Sequence, residues 1–171
     1  MTQLNPQQVT EKYNELDGAS FIRWVTDAYL QSIGGSLTES NMEELSSEQH
    51  AFLCYRYVMD EVMEGGFIQL IVNGYAPYVL EGPFPYVVKR EWGTAASGTD
   101  AKLLKDFSKL IYEVKKEFHK HQQELLADMS EEEFMALYEQ LEHLNELGDD
   151  FLDDYQEKLT PIVAQLILRT I

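Results

Sequence analysis

The amino-acid sequence predicts an all-α protein, a single compact bundle of roughly six to nine helices. Apolar residues recur at helical spacing along most of the 171 residues, and glycine pairs separate the periodic segments. Hydrophobic residues make up 44% of the chain, which is enough to build a core. The exception is an irregular segment near residues 73–98, where Pro77, Pro83 and Pro85 stand among several glycines.

The first strongly periodic segment predicts a helix with one buried face. Its apolar residues follow the i, i+3, i+4 pattern: Phe21, Trp24, Val25, Ala28 and Tyr29. Gly34 and Gly35 follow and are expected to end the helix. We therefore assign residues 1–45 to N-terminal helices of one domain that spans residues 1–171.

A second helix is predicted to begin at Ser46 or Ser47, either of which can cap its N-terminus. Its apolar stripe continues along the chain through Phe52, Tyr55, Val58, Met59 and Val62. Gly65 and Gly66 are expected to break it. The next segment, residues 67–72, is interpreted as a short buried helix or, as the less favoured alternative, a strand.

Three further helices are predicted in the second half of the chain. The first runs from Thr99-Asp100 to about residue 128. Ser130 and Glu133 have the spacing of a capping box and open the next helix, which Gly148 interrupts. Pro161 is expected near the first turn of the last, strongly apolar helix.

The charge composition excludes several functions. The chain has 13 Lys+Arg against 30 Asp+Glu, a net charge of −17, so we expect no direct nucleic-acid binding, which needs clustered basic residues. No apolar run of membrane-spanning length occurs, and the first twenty residues do not resemble a secretory signal. A single cysteine, Cys54, cannot form an internal disulfide. A cytoplasmic protein without a membrane role is therefore predicted.

The negative charge is concentrated late in the chain, where residues 124–157 contain 13 acids and no Lys or Arg. On a helical wheel that assumes one continuous helix through Gly148, most of these acids fall opposite the apolar residues. Solvated helices usually mix both signs of charge, so this pattern favours a basic partner over a role in solubility alone. The predicted partner-binding surface comprises Glu131, Glu139, Glu142, Glu146, Asp149, Asp150, Asp153, Asp154 and Glu157.

Two other functions stay open at this stage. The Asp149–Asp154 run resembles a metal-binding sequence, which would fit a metal-dependent enzyme or a metal-binding module. Glutamate–histidine pairs one helical turn apart, and His50 with Cys54, are further weak candidates for chemistry. We predict no catalytic residue, metal or cofactor, because each of these patterns also fits ordinary surface or core residues. The remaining alternative is an acidic structural protein without a specific partner.

Residues 61–75 carry a motif that resembles the signature of the DNA mimic protein 19 family, also called domain of unknown function 4375. The similarity covers most of the chain from residue 46 onward, and the matching positions are Glu61, Gly65, Gly66, Phe67, Gln69 and Asn73. The resemblance implies an all-helical, dimeric protein without catalytic activity. It also implies that an acidic surface occupies the DNA-binding face of a basic regulator, such as a helix-turn-helix protein. The motif itself is interpreted as structural.

Overall fold

The computed structural model describes residues 4–171, and every regular element in that range is helical, without a strand. This confirms the predicted all-α class. None of the helices in the described range is both long and apolar enough to span a bilayer. The α-helices are α1 (Pro6–Glu15), α2 (Gly18–Ser32), α3 (Ser47–Val72), α4 (Ala76–Leu80), α5 (Phe84–Tyr86), α6 (Gly93–Ala95), α7 (Gly98–Lys120), α8 (Gln122–Leu126), α9 (Glu131–Gln140), α10 (Glu142–Asp150) and α11 (Gln156–Arg169).

Helix α2 forms where the apolar pattern predicts it. Asp17 caps its N-terminus by accepting the backbone N–H of Ser20 at 2.9 Å, and this hydrogen bond lowers the pKa of the Asp17 carboxyl. Phe21 and Val25 are fully buried as the helix packs against α3 and α11. The helix ends before two glycines with positive φ angles, as expected.

Helix α3 begins at the predicted cap and bends at the predicted glycines. Ser46 and Gln49 form a reciprocal capping box, with each side chain bonded to the other residue's backbone N–H. Gly66 has φ +75° and ψ −174°, a conformation that favours glycine over any L residue. Residues 67–72 then resume the helix, so the strand alternative is wrong.

An aromatic cluster at the centre of the protein joins α3, α7 and the π-helical turn Phe151–Tyr155 between α10 and α11. The ring centroids of Phe107 and Phe151 lie 5.7 Å apart, and Phe67 lies 6.3 Å from Phe151. Tyr55 contacts both Phe107 and Phe151 edge-on and shares a 2.8 Å hydrogen bond with the Thr160 hydroxyl. These contacts tie the acidic half of the chain to the core.

The proline-rich segment folds as short helical pieces, as predicted. Helices α4, α5 and α6 and the π-helical turn Val87–Trp92 follow one another between residues 76 and 95. The segment is anchored by Trp92, whose buried ring stacks on Phe52 with a centroid distance of 5.3 Å. It covers one side of α3 and α7.

Two boundaries differ from the prediction. Helix α7 ends at Lys120 rather than near residue 128, because His121 leaves helical geometry with φ −117° and ψ 22°. The turn brings Leu125 of α8 into the core. The sequence has no glycine or proline here that would indicate the end of a helix. Pro161 lies inside α11 rather than near its start, so it supplies no N–H to the carbonyl of Glu157.

Candidate protein-binding surface

The family-like motif builds the kink in α3. Glu61 accepts hydrogen bonds from the side-chain amides of Gln69, at 2.8 Å, and Asn73, at 2.9 Å. These bonds connect the helix before the kink to the helix after it. Gly65 leaves no room for a side chain, because a Cβ atom there would lie 2.8 Å from the Cβ of Gln69. The motif therefore forms hydrogen bonds across a bend in α3.

The kink provides the surface on which the acidic helix α10 rests. Gly148 is buried against it, and a Cβ atom at this position would lie 3.6 Å from the Cα of Gly66 and 3.7 Å from the backbone nitrogen of Phe67. Leu144 and Leu147 of α10 are buried beside Gly148. These contacts turn the opposite face of α10 to solvent.

All nine residues of the predicted acidic surface are exposed. They do not lie on one continuous helix, and this part of the expectation is wrong. The break occurs at Leu141, with φ −94° and ψ 59°, whereas Gly148 lies within α10. Leu141 is buried, and the neighbouring Asn145 donates a 2.6 Å side-chain hydrogen bond to the carbonyl of Tyr138 across the break.

The acidic surface therefore has two parts. Glu131 and Glu139 lie on α9, which begins with Ser130 as its N-cap. The other seven residues follow one helical path through α10, the π-helical turn and the start of α11: Glu142, Glu146, Asp149, Asp150, Asp153, Asp154 and Glu157. We keep the name acidic surface for all nine.

The acidic surface is not neutralised by basic side chains. Among residues 4–171, no Lys or Arg nitrogen lies within 4.0 Å of any of the nine carboxylates. The one ion-pair contact is between the Nδ1 of His143 and Glu146, at 3.6 Å, and it carries a charge only when the histidine is protonated. The negative charges of the nine residues are therefore exposed to solvent and uncompensated by Lys or Arg in the described part of the chain.

The lysine-rich helix α7 forms no ion pair with these carboxylates within residues 4–171. Its inner face buries Leu104, Phe107, Ile111 and Val114, and its lysines occupy the opposite side. Five exposed lysines fall within about 60° of one another on the helix: Lys102, Lys105, Lys109, Lys116 and Lys120. Of these, Lys116 pairs within the helix with Glu113 at 2.7 Å.

The alternative of a metal site on the Asp149–Asp154 run gains no support from the geometry. Its four aspartates are exposed and lie along the helix surface rather than around a cavity. Within residues 4–171, no group of three or more His, Cys, Asp or Glu side chains is placed to hold a metal ion. His121 does come close to two glutamates, with 3.7 Å from its Nε2 to Glu117 and 3.7 Å from its Nδ1 to Glu124.

His50 and Cys54 do not form a nucleophile–base pair. The His50 ring hydrogen-bonds to the Tyr78 hydroxyl at 2.6 Å and to the carbonyl of Met42 at 2.7 Å. Cys54 is fully buried, its thiol points to the carbonyl of Tyr78, and burial raises its pKa. A protonated, inaccessible thiol is a core side chain and a poor nucleophile.

One feature near the acidic surface could not be predicted from the sequence. Glu64 of α3 and Glu131 of α9 line the same open groove, together with Phe134. Glu64 lies within the segment of the family-like motif but is not one of its matching positions. Its proximity to Glu131, 67 residues later, is a consequence of the tertiary fold.

The fold and this surface define a class: an all-α protein with negative charge concentrated on its C-terminal helices and left unpaired there. The chain belongs to the family of DMP19-like proteins, whose model matches residues 43–170. The match begins just before α3 and includes the kink motif and the whole acidic surface. The resemblance noted from residues 61–75 is thereby confirmed.

A curated relative is named DNA mimic protein DMP19 and comes from Neisseria meningitidis serogroup B (strain ATCC BAA-335 / MC58). It is 30% identical to this chain over 80 residues. The aligned segment covers 47% of this chain and 48% of the relative, so the similarity spans about half the length of each protein.

Proposed function

We propose that this chain is a non-enzymatic binding protein that occupies the DNA-binding surface of a basic DNA-binding protein. A helix-turn-helix regulator is the partner type that the family resemblance suggests. The observation that carries the proposal is the set of nine exposed carboxylates without a Lys or Arg partner in the described part of the chain. The DNA-mimic name of the relative supports the same interpretation.

The density of charge supports this mode of binding. From Glu142 to Glu157 a helix rises about 22 Å, and seven exposed acids over that length give roughly one charge per 3 Å. Duplex DNA has one charge per roughly 1.7 Å of its axis. The α10–α11 part alone thus reaches about half the linear charge density of a duplex, and α9 adds further charge.

Binding to purified DNA-binding proteins across a salt series tests the proposal. Affinity should fall steeply with added salt, and the protein should displace labelled DNA from its partner, because both ligands compete for one basic surface. Affinity that is indifferent to salt, or a complex that still binds DNA fully, would contradict the mechanism.

Two triple variants with equal charge change test where the partner binds. Glu142→Gln, Glu146→Gln and Asp153→Asn together remove three charges from the acidic surface and should weaken binding strongly. Glu39→Gln, Glu43→Gln and Glu44→Gln remove three charges from another exposed cluster and should have a much smaller effect. Equal losses would mean that only net charge matters.

The homodimer and the cytoplasmic setting are part of the same proposal. The resemblance to the family supports the dimer, and light scattering at several protein concentrations tests it. Fractionation of the source cells tests the location.

A further inference from the structure

A groove of about 380 Å³ lies where the end of α3 meets the start of α9. Its apolar part consists of Val72, Met129 and Phe134, which are half-buried and pack against the core. Glu64 and Glu131 line it with exposed carboxylates. The groove therefore combines an apolar wall with negative charge.

Two polar residues of the motif also line the groove. They are Gln69 and Asn73, whose side-chain amide N–H groups donate to Glu61. Neither Glu64 nor Glu131 pairs with a Lys or Arg within residues 4–171.

The positive end of the α9 dipole also points toward this region and would disfavour a cation. Three carboxylates in the first turn of α9, those of Glu131, Glu132 and Glu133, oppose it. Ser130 in addition engages the backbone N–H of Glu133 at 3.2 Å. The local field is therefore set by the carboxylates.

We propose that this groove accepts an arginine side chain of the basic partner, and this inference rests on the proposed function. The guanidinium has five N–H donors and no acceptor, which matches the exposed carboxylates of Glu64 and Glu131. Its planar face stacks on an aromatic ring, here Phe134, while its methylene stem covers Val72. Lysine, a compact and strongly hydrated charge, gains less from the aromatic wall.

NMR titration with N-acetyl-arginine amide, and separately with N-acetyl-lysine amide, tests the site on the wild-type chain. The arginine probe should shift the backbone resonances of Val72, Asn73 and Phe134 and bind several-fold more tightly than the lysine probe. Shifts spread evenly over the acidic helices, or equal affinity for the two probes, would overturn the proposal.

Variants with equal charge change separate the groove from general electrostatics. Glu64→Gln with Glu131→Gln should weaken the arginine probe, by about two- to fivefold for each carboxylate removed. Glu39→Gln with Glu43→Gln removes the same charge outside both the groove and the acidic surface, and should leave the affinity for the arginine probe nearly unchanged. Phe134→Leu keeps the wall apolar and should reduce the preference for arginine over lysine. Equal weakening by both charge variants would overturn the proposal.

Two outcomes distinguish the arginine site from the proposed function. If a DNA-binding protein binds in a salt-dependent way but the groove variants behave like their controls, the arginine site is wrong and the proposed function stands. If the groove prefers arginine while purified DNA-binding proteins do not bind the chain, the arginine site stands and the proposed partner class is wrong.

Discussion

The protein uses its carboxylates in two different ways. Between α2 and α3, Asp27 and Asp60 pair with Arg23 and Arg56, and the closest oxygen of Asp60 lies 2.7 Å from Arg23. Burial alone would lower the pKa of Arg56, but its hydrogen bond to Asp27 and the charges of both aspartates raise it overall. Within residues 4–171, the carboxylates of the acidic surface have no Lys or Arg partner.

This difference separates charge that supports the fold from charge available for binding. The α2–α3 ion pairs hold two helices together, and the paired charges largely cancel each other. The acidic surface contributes repulsion instead of attraction, so its stability has to come from the buried side of the same helices. Four experiments test this difference between the two regions, and the largest expected effect comes first.

The largest effect should follow from Phe151→Ala. Phe151 is fully buried under the acidic surface, and its ring contacts Phe67, Phe107 and Tyr55. The variant should lower the free energy of unfolding by about 3–5 kcal/mol because it leaves a cavity at the aromatic cluster. Urea denaturation measures the loss. A much smaller value would mean that α10 is anchored elsewhere.

Asp60→Asn should have the next largest effect. It removes the charge shared by Arg23 and Arg56 at a position that is one-third exposed, so we expect a loss of about 1–2 kcal/mol. Asp153→Asn makes the same change on the acidic surface and should cost nothing. If both variants lose equal stability in urea denaturation, the two regions do not differ as described.

A smaller difference is expected between the losses of stability caused by substituting two glycines that contact each other, Gly66 and Gly148. Gly66→Ala places a Cβ atom at φ +75° and ψ −174°, a region that essentially only glycine occupies, and should cost about 1–2 kcal/mol, a strain that thermal unfolding detects. Gly148→Ala adds a Cβ atom at ordinary contact distance in a helix, and its cost should stay below about 1 kcal/mol. Similar losses would contradict a close but unstrained approach of α10 to the kink.

The smallest expected effect is an increase in stability rather than a loss. Glu142→Gln and Glu146→Gln remove one like-charge pair separated by one helical turn, and should raise stability by roughly 0.5 kcal/mol at low salt. The gain should vanish at high salt, since the carboxylates are exposed and their repulsion is screened. Melting curves at two salt concentrations measure it. Lower stability at low salt would mean that the contact of Glu146 with His143, or of Glu142 with the N-terminus of α10, outweighs the repulsion.

Local signals in the sequence predicted much of the fold. Ser46, the Gly34–Gly35 pair and the Gly65–Gly66 pair act through their own backbone chemistry, so helix ends and the kink are visible in the chain itself. The exposure of the nine acids followed from the helical period of the apolar residues beside them. These features depend on residues close in sequence.

The errors concern features that depend on distant parts of the chain. His121 and Leu141 interrupt helices although neither is glycine or proline, and burial of Leu125 and Leu141 accompanies those breaks. Gly148 was predicted to interrupt a helix, but it lies within α10, where the absence of a side chain lets the helix pack closely against Gly66. The pairing of Glu64 with Glu131 in one groove likewise depends on how α9 is placed.

The inaccessible Cys54 has a practical consequence for the experiments above. Thiol reagents attack the thiolate of exposed cysteines, so the folded wild-type chain should stay unlabelled. A single Glu146→Cys substitution would then carry a fluorophore on the acidic surface without removal of the native cysteine. Binding could be followed by a reporter attached directly at the expected contact.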